Sequence, residues 1–307
     1  MTRIASSMIN ASALADLARA QRDLFDTQRQ TASQKVADDL KGYGQNARSV
    51  VSLERMRAQS EAYKSAASEL STRLDLQDTH LSRASNVVGS LREKLTSALA
   101  MNDLSSVASE ISTAYSDIKS AFNATLNGKY LFGGTASDSA PIVAGTISDL
   151  AANPVADAVN ADGETVKVRI SENRLVEAAP LARTEAQEIL SVLRDLQIFE
   201  EGANGPFTEN PTQVQKTAIQ DALAALKPAH EGLIDLQARN GQVLNQTDDM
   251  IERHTQEGDL LSSLTADITD VDMAEVAVKL NQAQLQFQAT ASVFRTIQSL
   301  SLVDFLR

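Results

Sequence analysis

The chain has no cysteine and no tryptophan. The first absence excludes disulfide stapling, zinc-thiolate sites and cysteine nucleophiles, and leaves the compartment open. Aromatic residues make up only 4% of the chain while hydrophobic residues reach 43%, so the apolar supply is mostly Ala, Leu, Val and Ile. That mixture favours long thin helices over a thick core. Positive charge is in deficit: the net charge is −12 and the pI about 4.8. No cluster of Lys and Arg is present to neutralise phosphate, so no nucleic-acid partner is expected. No apolar run is long enough to span a bilayer, and the N-terminal stretch lacks the apolar region of a Sec-type signal.

Catalytic chemistry is equally sparse. His80, His230 and His254 are isolated in helical segments, and His254 reads as a core or interface residue. The Gly128-Lys-Tyr-Leu-Phe-Gly-Gly134 run lacks the spacing of a phosphate loop. Asp38-Asp39 and Asp248-Asp249 read as neighbours in helical contexts, where adjacent side chains point to different sides and form no carboxylate dyad. Glu200-Glu201 reads as a solvated turn. No Ser-His-Asp constellation, metal site or cofactor is expected, and the chain reads as a non-enzyme.

What is present is heptad periodicity. Leu53, Met56, Ser60, Tyr63, Ala67, Leu70, Leu74, Gln77, Leu81, Ala84, Val88, Leu91, Leu95 and Ala98 keep strict 3-4 spacing, with Ser60 and Gln77 the polar exceptions. Asn102-Asp103 is expected to end this helix and cap the next, which carries Leu104, Val107, Ile111, Tyr115, Ile118 and Phe122 back antiparallel. A second long heptad runs through Ile219, Ala222, Leu226, Ala229, Leu233, Leu236, Asn240, Val243, Thr247, Met250 and His254, with Pro228 expected to kink or bound it. Between the two, all prolines but Pro228 and more than half of the glycines fall in 128–212. There 164–170 alternates as a strand, Leu131-Phe132, Ile142-Val143 and Leu175-Val176 are weaker strand candidates, and 185–199 reads as a helix.

The ends differ from the rod. Residues 280–294 carry no charge, with Lys279 and Arg295 bracketing them. Met273, Val276, Leu280, Ala283, Phe287, Thr290, Phe294 and Ile297 form one seam, and Gln and Asn occupy the other face. Asp267, Asp270 and Asp272 precede that helix, where acidic groups suit its dipole. At the N-terminus Ile4, Ala11, Leu14, Ala18 and Phe25 share a seam, with Met8, Leu17 and Leu24 beside it. A face that can hydrogen-bond but carries no ion suits packing against other chains. The expected assembly interface is therefore Ile4, Leu14, Leu17, Phe25, Met273, Val276, Leu280, Phe287, Phe294, Ile297, Leu300, Leu302 and Phe305. Membrane-surface binding is disfavoured, because such helices carry Lys or Arg on the polar face. On this reading Phe287→Asp or Phe294→Asp abolishes assembly and leaves 53–264 folded.

The fold expected is mainly α: a long antiparallel bundle of N- and C-terminal segments with a smaller β-containing insert. Its parts are 1–42 with 265–307 as terminal helices forming an inner assembly domain, 43–135 with 210–264 as a helical rod, and 136–209 as a mixed β/α outer insert.

Three segments carry a resemblance. Asn127-Gly-Lys-Tyr-Leu-Phe-Gly-Gly-Thr135 is followed by Ser139-Ala-Pro-Ile142; Leu236-Gln-Ala-Arg-Asn-Gly-Gln-Val-Leu-Asn245 lies on a helix; and Ile268-Thr-Asp-Val-Asp272 leads into the uncharged helix, which ends Ser299-Leu-Ser-Leu-Val-Asp-Phe-Leu-Arg307. They resemble the bacterial flagellin family, most closely its hook–filament junction (type 3 hook-associated) members, over about 1–135 and 210–307. The segment Thr31-Ala-Ser-Gln-Lys-Val-Ala-Asp-Asp-Leu40 departs from the family, which carries Ser-Thr-Gly-basic before Asp-Asp; a more helical turn or a different subunit contact is the expectation. The resemblance implies a structural part of the flagellum, joining hook to filament by axial self-assembly of terminal helices that order as subunits stack. It implies export through the flagellar apparatus without a cleavable signal, to an extracellular place on the flagellum. The implied partners are copies of itself, flagellin, the neighbouring hook-associated protein and an export chaperone on the C-terminal helix. The alternatives are a flagellin that polymerises into the filament, and a coiled-coil adaptor unrelated to flagella.

Overall fold

A computed structural model describes residues 2–160, 164–178 and 183–305, without the side chains of 2–7, 9, 10, 178 and 300–305. The chain is mainly helical with two small antiparallel hairpins, as its periodicities predict. In order come α1 (Thr2–Ser33), a 3-10 turn (Leu40–Asn46), α2 (Ala47–Met101), α3 (Val107–Phe122), β1 (Thr125–Leu126), β2 (Lys129–Tyr130), α4 (Ile147–Ala152), α5 (Val155–Ala158), β3 (Val166–Ser171), β4 (Arg174–Ala178), α6 (Arg183–Glu201), α7 (Gln213–Thr269) and α8 (Met273–Phe305). It divides into two compact units, 60–256 and 1–59 with 257–307. Among the described residues no helix is long and apolar enough to cross a membrane.

The unit 60–256 is built on α2 and α7. Their heptad positions from Ala67 to Ala98 and from Ile219 to Leu236 are buried. The helices run antiparallel: Ser60 bonds His254, Asn240 bonds Leu74 and His230 meets Ser85, so numbers rise on one helix as they fall on the other. α3 returns along α2 with the ion pairs Arg83–Asp117 and Lys94–Glu110 bridging them. Ile111, Ile118 and Phe122 of α3 join Leu91, Leu95, Leu226 and Leu233 in one core, which Ile189 and Leu193 of α6 close. The Tyr115 hydroxyl donates to the Ala144 carbonyl at 2.7 Å, and burial pushes its phenol up to about 12.

Polar residues on these seams have structural partners. Gln77 is buried and its Nε2 donates to the Leu131 carbonyl at 2.8 Å, beside Arg73 Nη2 at 2.9 Å. That carbonyl belongs to the Gly-Lys-Tyr-Leu-Phe run. Asn127 (φ 52) and Gly128 (φ 77) make a two-residue turn between β1 and β2, the left-handed pair that such hairpins require. Leu131 and Phe132 then enter the core, with the Phe132 ring edge-on to Phe122 at 5.5 Å. The strand expected at Leu131-Phe132 therefore lies two residues earlier, at Lys129–Tyr130, and Leu131 and Phe132 act as core plugs.

Other expectations are corrected locally. The predicted Ile142-Val143 strand is a single bridge from Ile142 to Val159. Asn102 ends α2 in the left-handed conformation (φ 54), and Asp103 accepts from Ser105 N rather than capping α3. Pro228 neither ends nor bounds α7, which runs through it. It is exposed, so water can serve the carbonyl that loses its donor. Glu200-Glu201 is no turn but the end of α6, with Glu200 accepting from Phe207 N at 2.8 Å. The alternating segment forms β3, paired with β4, and Ile170 and Val176 sit on Ala67, Leu70, Leu74 and Met250.

Asn240 is fully buried, and its Oδ1 has no partner although its Nδ2 donates to Leu74. An orphaned buried carbonyl costs about 1–3 kcal/mol. Asn240→Leu is therefore expected to raise stability in urea unfolding by roughly 1 kcal/mol while removing a register pin. A lower midpoint would show that the single Leu74 bond outweighs the orphaned atom.

Candidate assembly surface

In the unit 1–59 with 257–307, α1 packs against α8. The two helices are joined at one end by a clasp. Val36 N donates to Thr269 O at 2.8 Å, and Val271 N donates to Gln34 O at 3.1 Å. Lys35 Nζ binds the Asp270 carboxylate, which also accepts from Thr269 Oγ1 at 2.9 Å. These bonds hold the Asp270 carboxyl below its usual range, the Lys35 contact first. Asp272 completes the joint by accepting from Ala274 N at 2.8 Å and Glu275 N at 3.3 Å, so it caps α8. The acidic residues before this helix thus have separate roles.

The departure at 31–40 takes a definite form. α1 stops at Ser33, and Gln34 takes φ 58, the left-handed conformation that glycine adopts without cost. The turn is therefore no more helical, and Gln34 takes the conformation that glycine favours. Asp38 and Asp39 lie in this turn rather than in a helix. They part company: Asp38 pairs with Arg29 at 3.2 Å, and Asp39 accepts from Gly42 N at 2.9 Å to open the 3-10 turn. Tyr43 OH donates to Ala37 O at 2.7 Å and closes the corner.

The C-terminal seam faces α1 of the same chain. Val276 and Ala283 are buried; Leu280, Phe287, Thr290, Phe294 and Ile297 are half-buried; Met273 is exposed. On α1, Ala20 is buried and Leu17 and Leu24 are half-buried. Leu14 and Phe25, read as a seam with Ala11 and Ala18, point away and are 56% and 59% exposed. Ile4, Leu300, Leu302 and Phe305 lie outside the described side chains.

Sequence reasoning missed the second face of α8. Val278, Leu285 and Val293 recur at seven and eight residues, roughly opposite the α1-facing seam, and Leu285 is 67% exposed. The spacing was available in the sequence but lay under the stronger seam. Among the described side chains eighteen large hydrophobic residues are exposed, and twelve of them fall in this unit, which is the smaller of the two. Single exposed apolar side chains need no explanation; a stripe of them on a helix with no charge from 280 to 294 is a candidate interaction surface.

The histidines lie elsewhere, two of them against serines: His254 Nδ1 is 3.3 Å from Ser60 Oγ, and His230 faces Ser85. Arg92 Nη1 is 3.3 Å from His230 Nδ1 and can only donate, so the ring proton sits on Nε2, 3.0 Å from Ser85 Oγ. Ser85 is then an acceptor, the reverse of an activated serine. His254 is buried and donates through Nε2 to Ile170 O at 2.8 Å, tying β3 to α7. His80 is half-buried and held below the usual imidazole range by desolvation, then by Arg83. Among the described residues no group of acidic, histidine or cysteine side chains could hold a metal ion.

Gln34→Gly should stabilise the clasp by roughly 0.5–1 kcal/mol, because it removes a left-handed penalty of about 1–2 kcal/mol at the cost of glycine's extra chain entropy. Slower amide exchange at Val36 and Val271 would register this; faster exchange would place the strain elsewhere. The depressed Asp270 pKa means that the Lys35 contact contributes above the unfolded carboxyl value, about 3.9, and is lost as pH falls through the lower folded value. An NMR titration of Asp270 should have its midpoint below 3.9, and a midpoint at or above it would deny the contact.

Comparison by sequence finds no significant match among curated proteins. Comparison by structure gives a protein of Vibrio parahaemolyticus proposed to be flagellar hook-associated, at 20% identity and TM-score 0.59, covering 75% of this chain and 98% of that one. FlgL of Bacillus cereus follows at 14% identity and TM-score 0.57, covering 70% and 99%. FlgL of Xanthomonas campestris gives 14% identity and TM-score 0.51, covering 69% and 99%. At these identities the likeness is one of fold. By family model, residues 223–306, the greater part of α7 with α8, match the bacterial flagellin C-terminal helical region.

Proposed function

We propose that this chain is a structural component of a bacterial flagellum, a junction subunit between hook and filament that assembles through its terminal helices. The observation that carries this reading is the exposed stripe Val278, Leu285 and Val293 on a helix with no charge from 280 to 294. A fold shared along nearly the full length of FlgL structures and a flagellin-type C-terminal region support it. The work is mechanical rather than catalytic. The α1–α8 pair fully buries only small or short side chains among those described, namely Ala20, Val276 and Ala283. A seam that thin gains much from further burial on stacking, so folding and assembly are coupled. The partners of this reading are other copies of the chain, a neighbouring hook-associated protein, flagellin, and a chaperone that covers α8 before export to the cell exterior.

A filament-forming flagellin is the second reading, favoured by the family match over 223–306. Seeded assembly of the pure chain separates the two. A junction subunit adds to hook ends and stops, whereas a flagellin grows without limit.

Leu285→Asp and Val293→Asp test the surface itself. Each should leave helicity and melting unchanged and weaken incorporation by roughly 100-fold or more, since a charge buried in an apolar interface costs about 3 kcal/mol or more. Phe287→Asp, on the α1-facing seam, should instead loosen the α1–α8 pair within the monomer. Normal incorporation of Leu285→Asp would sink the assignment of this face.

A further inference from the structure

An asparagine followed by glycine is the step at which a polypeptide most readily attacks itself, because no Cβ shields the glycine amide nitrogen. The chain has three: Asn127-Gly128, Asn204-Gly205 and Asn240-Gly241. Their surroundings differ. Asn240 is fully buried within α7, with Nδ2 donating to Leu74 O at 2.8 Å. Asn204 is exposed, but the Gly205 N–H donates to Gly202 O at 3.1 Å and the Asn204 carbonyl accepts from Gln215 Nε2 at 3.1 Å, so the joining peptide is held on both sides. Asn127 and Gly128 are both exposed at the tip of a hairpin whose strands have two residues each.

We propose that Asn127 is a spontaneous deamidation site of the folded chain, and that its isoaspartate product frees the loop that Arg73 and Gln77 anchor. The Gly128 nitrogen attacks Asn127 Cγ and loses its proton to solvent. The Cγ–Nδ2 bond breaks, and the amide leaves as ammonia. Solvent water then opens the cyclic imide at either carbonyl, giving aspartate or isoaspartate. No oxidant or cofactor is needed. The left-handed turn does not itself bring the two atoms together, so the reaction waits on local opening. A hairpin of two-residue strands opens at low cost, whereas opening α7 at Asn240 requires breaking the core.

The two products differ in consequence. Asp-Gly also favours this turn, so aspartate preserves it. Isoaspartate adds a carbon to the main chain within a two-residue turn and removes the pairing geometry of β1 and β2. Downstream of that turn, Leu131 O accepts from Arg73 and Gln77, and Phe132 meets Phe122. The loop is thus tied to the core by a few named contacts that depend on the turn.

The test is to age the full chain at mildly alkaline pH, folded and in urea, with peptide mass mapping and isoaspartyl methyltransferase labelling. Folded protein should convert Asn127 at least roughly tenfold faster than Asn204 or Asn240, a difference set by the cost of local opening, and the three rates should converge in urea. The modification should vanish in Asn127→Gln. Amide exchange at Leu131 should quicken in the isoaspartate fraction. Conversion led by Asn204 or Asn240 in folded protein would overturn the proposal, as would an intact Asn127 over the time in which the urea sample is converted. Unchanged exchange at Leu131 in the isoaspartate fraction would overturn the release of the loop.

Discussion

The unit 60–256 depends on the antiparallel seam of α2 and α7. Two long heptads can slide past one another by a turn with little loss of apolar contact, because Ala and Leu repeat along both. Here the slide is blocked by polar groups with fixed addresses. Asn240 meets Leu74, His230 meets Ser85, and Ser60 meets His254, at three levels of the same pair. A buried polar residue lowers stability but makes every other register worse. The same device secures what lies on the seam. Gln77 holds the loop at Leu131, and His254 holds β3 at Ile170.

Much of this was legible in the sequence, for a physical reason. Heptad spacing is a direct consequence of helix geometry, so a strict run such as Ala67 to Ala98 announces both the helix and its buried face. The Asn127-Gly128 pair likewise requires a particular turn. What the sequence concealed was the partner of each seam. Periodicity says that Phe287 and Phe294 face something; it does not say whether that is α1 or another chain. The polar exceptions posed the same difficulty. Ser60, Gln77 and Asn240 are out of place on an apolar stripe until the carbonyl or ring each one meets is known. Gln34 shows the limit most sharply, since nothing in a glutamine marks a left-handed residue.

The unit 1–59 with 257–307 turns on a different balance. A pair of thirty-residue helices joined by Ala20, Val276 and Ala283 brings the backbones close but removes little apolar surface from water. The clasp of Val36 with Thr269 and Gln34 with Val271 supplies direction rather than bulk, fixing where the helices meet. A helix in this position has two faces to satisfy. The inner one is met by α1. The outer one, with Val278, Leu285 and Val293, has no counterpart in the chain among the described contacts, and its flanking Gln and Asn side chains can bond to a neighbour without shedding a charge.

On the proposed function, that arrangement accounts for the absence of charge from 280 to 294, where charge would ordinarily serve solubility. Lys or Glu on the outer face of α8 would strengthen the isolated subunit and penalise any partner, because each ion would have to be desolvated on docking. The neutral run 280–294, on the proposed function, moves the balance toward the assembled state. On that reading, a seam whose only fully buried side chains among those described are Ala20, Val276 and Ala283 acts in the same direction, leaving burial of the outer face to decide the order of the pair. The stability missing from the lone unit is, on the proposed function, available on stacking, so the residues that make the terminal pair marginal would make its assembly favourable.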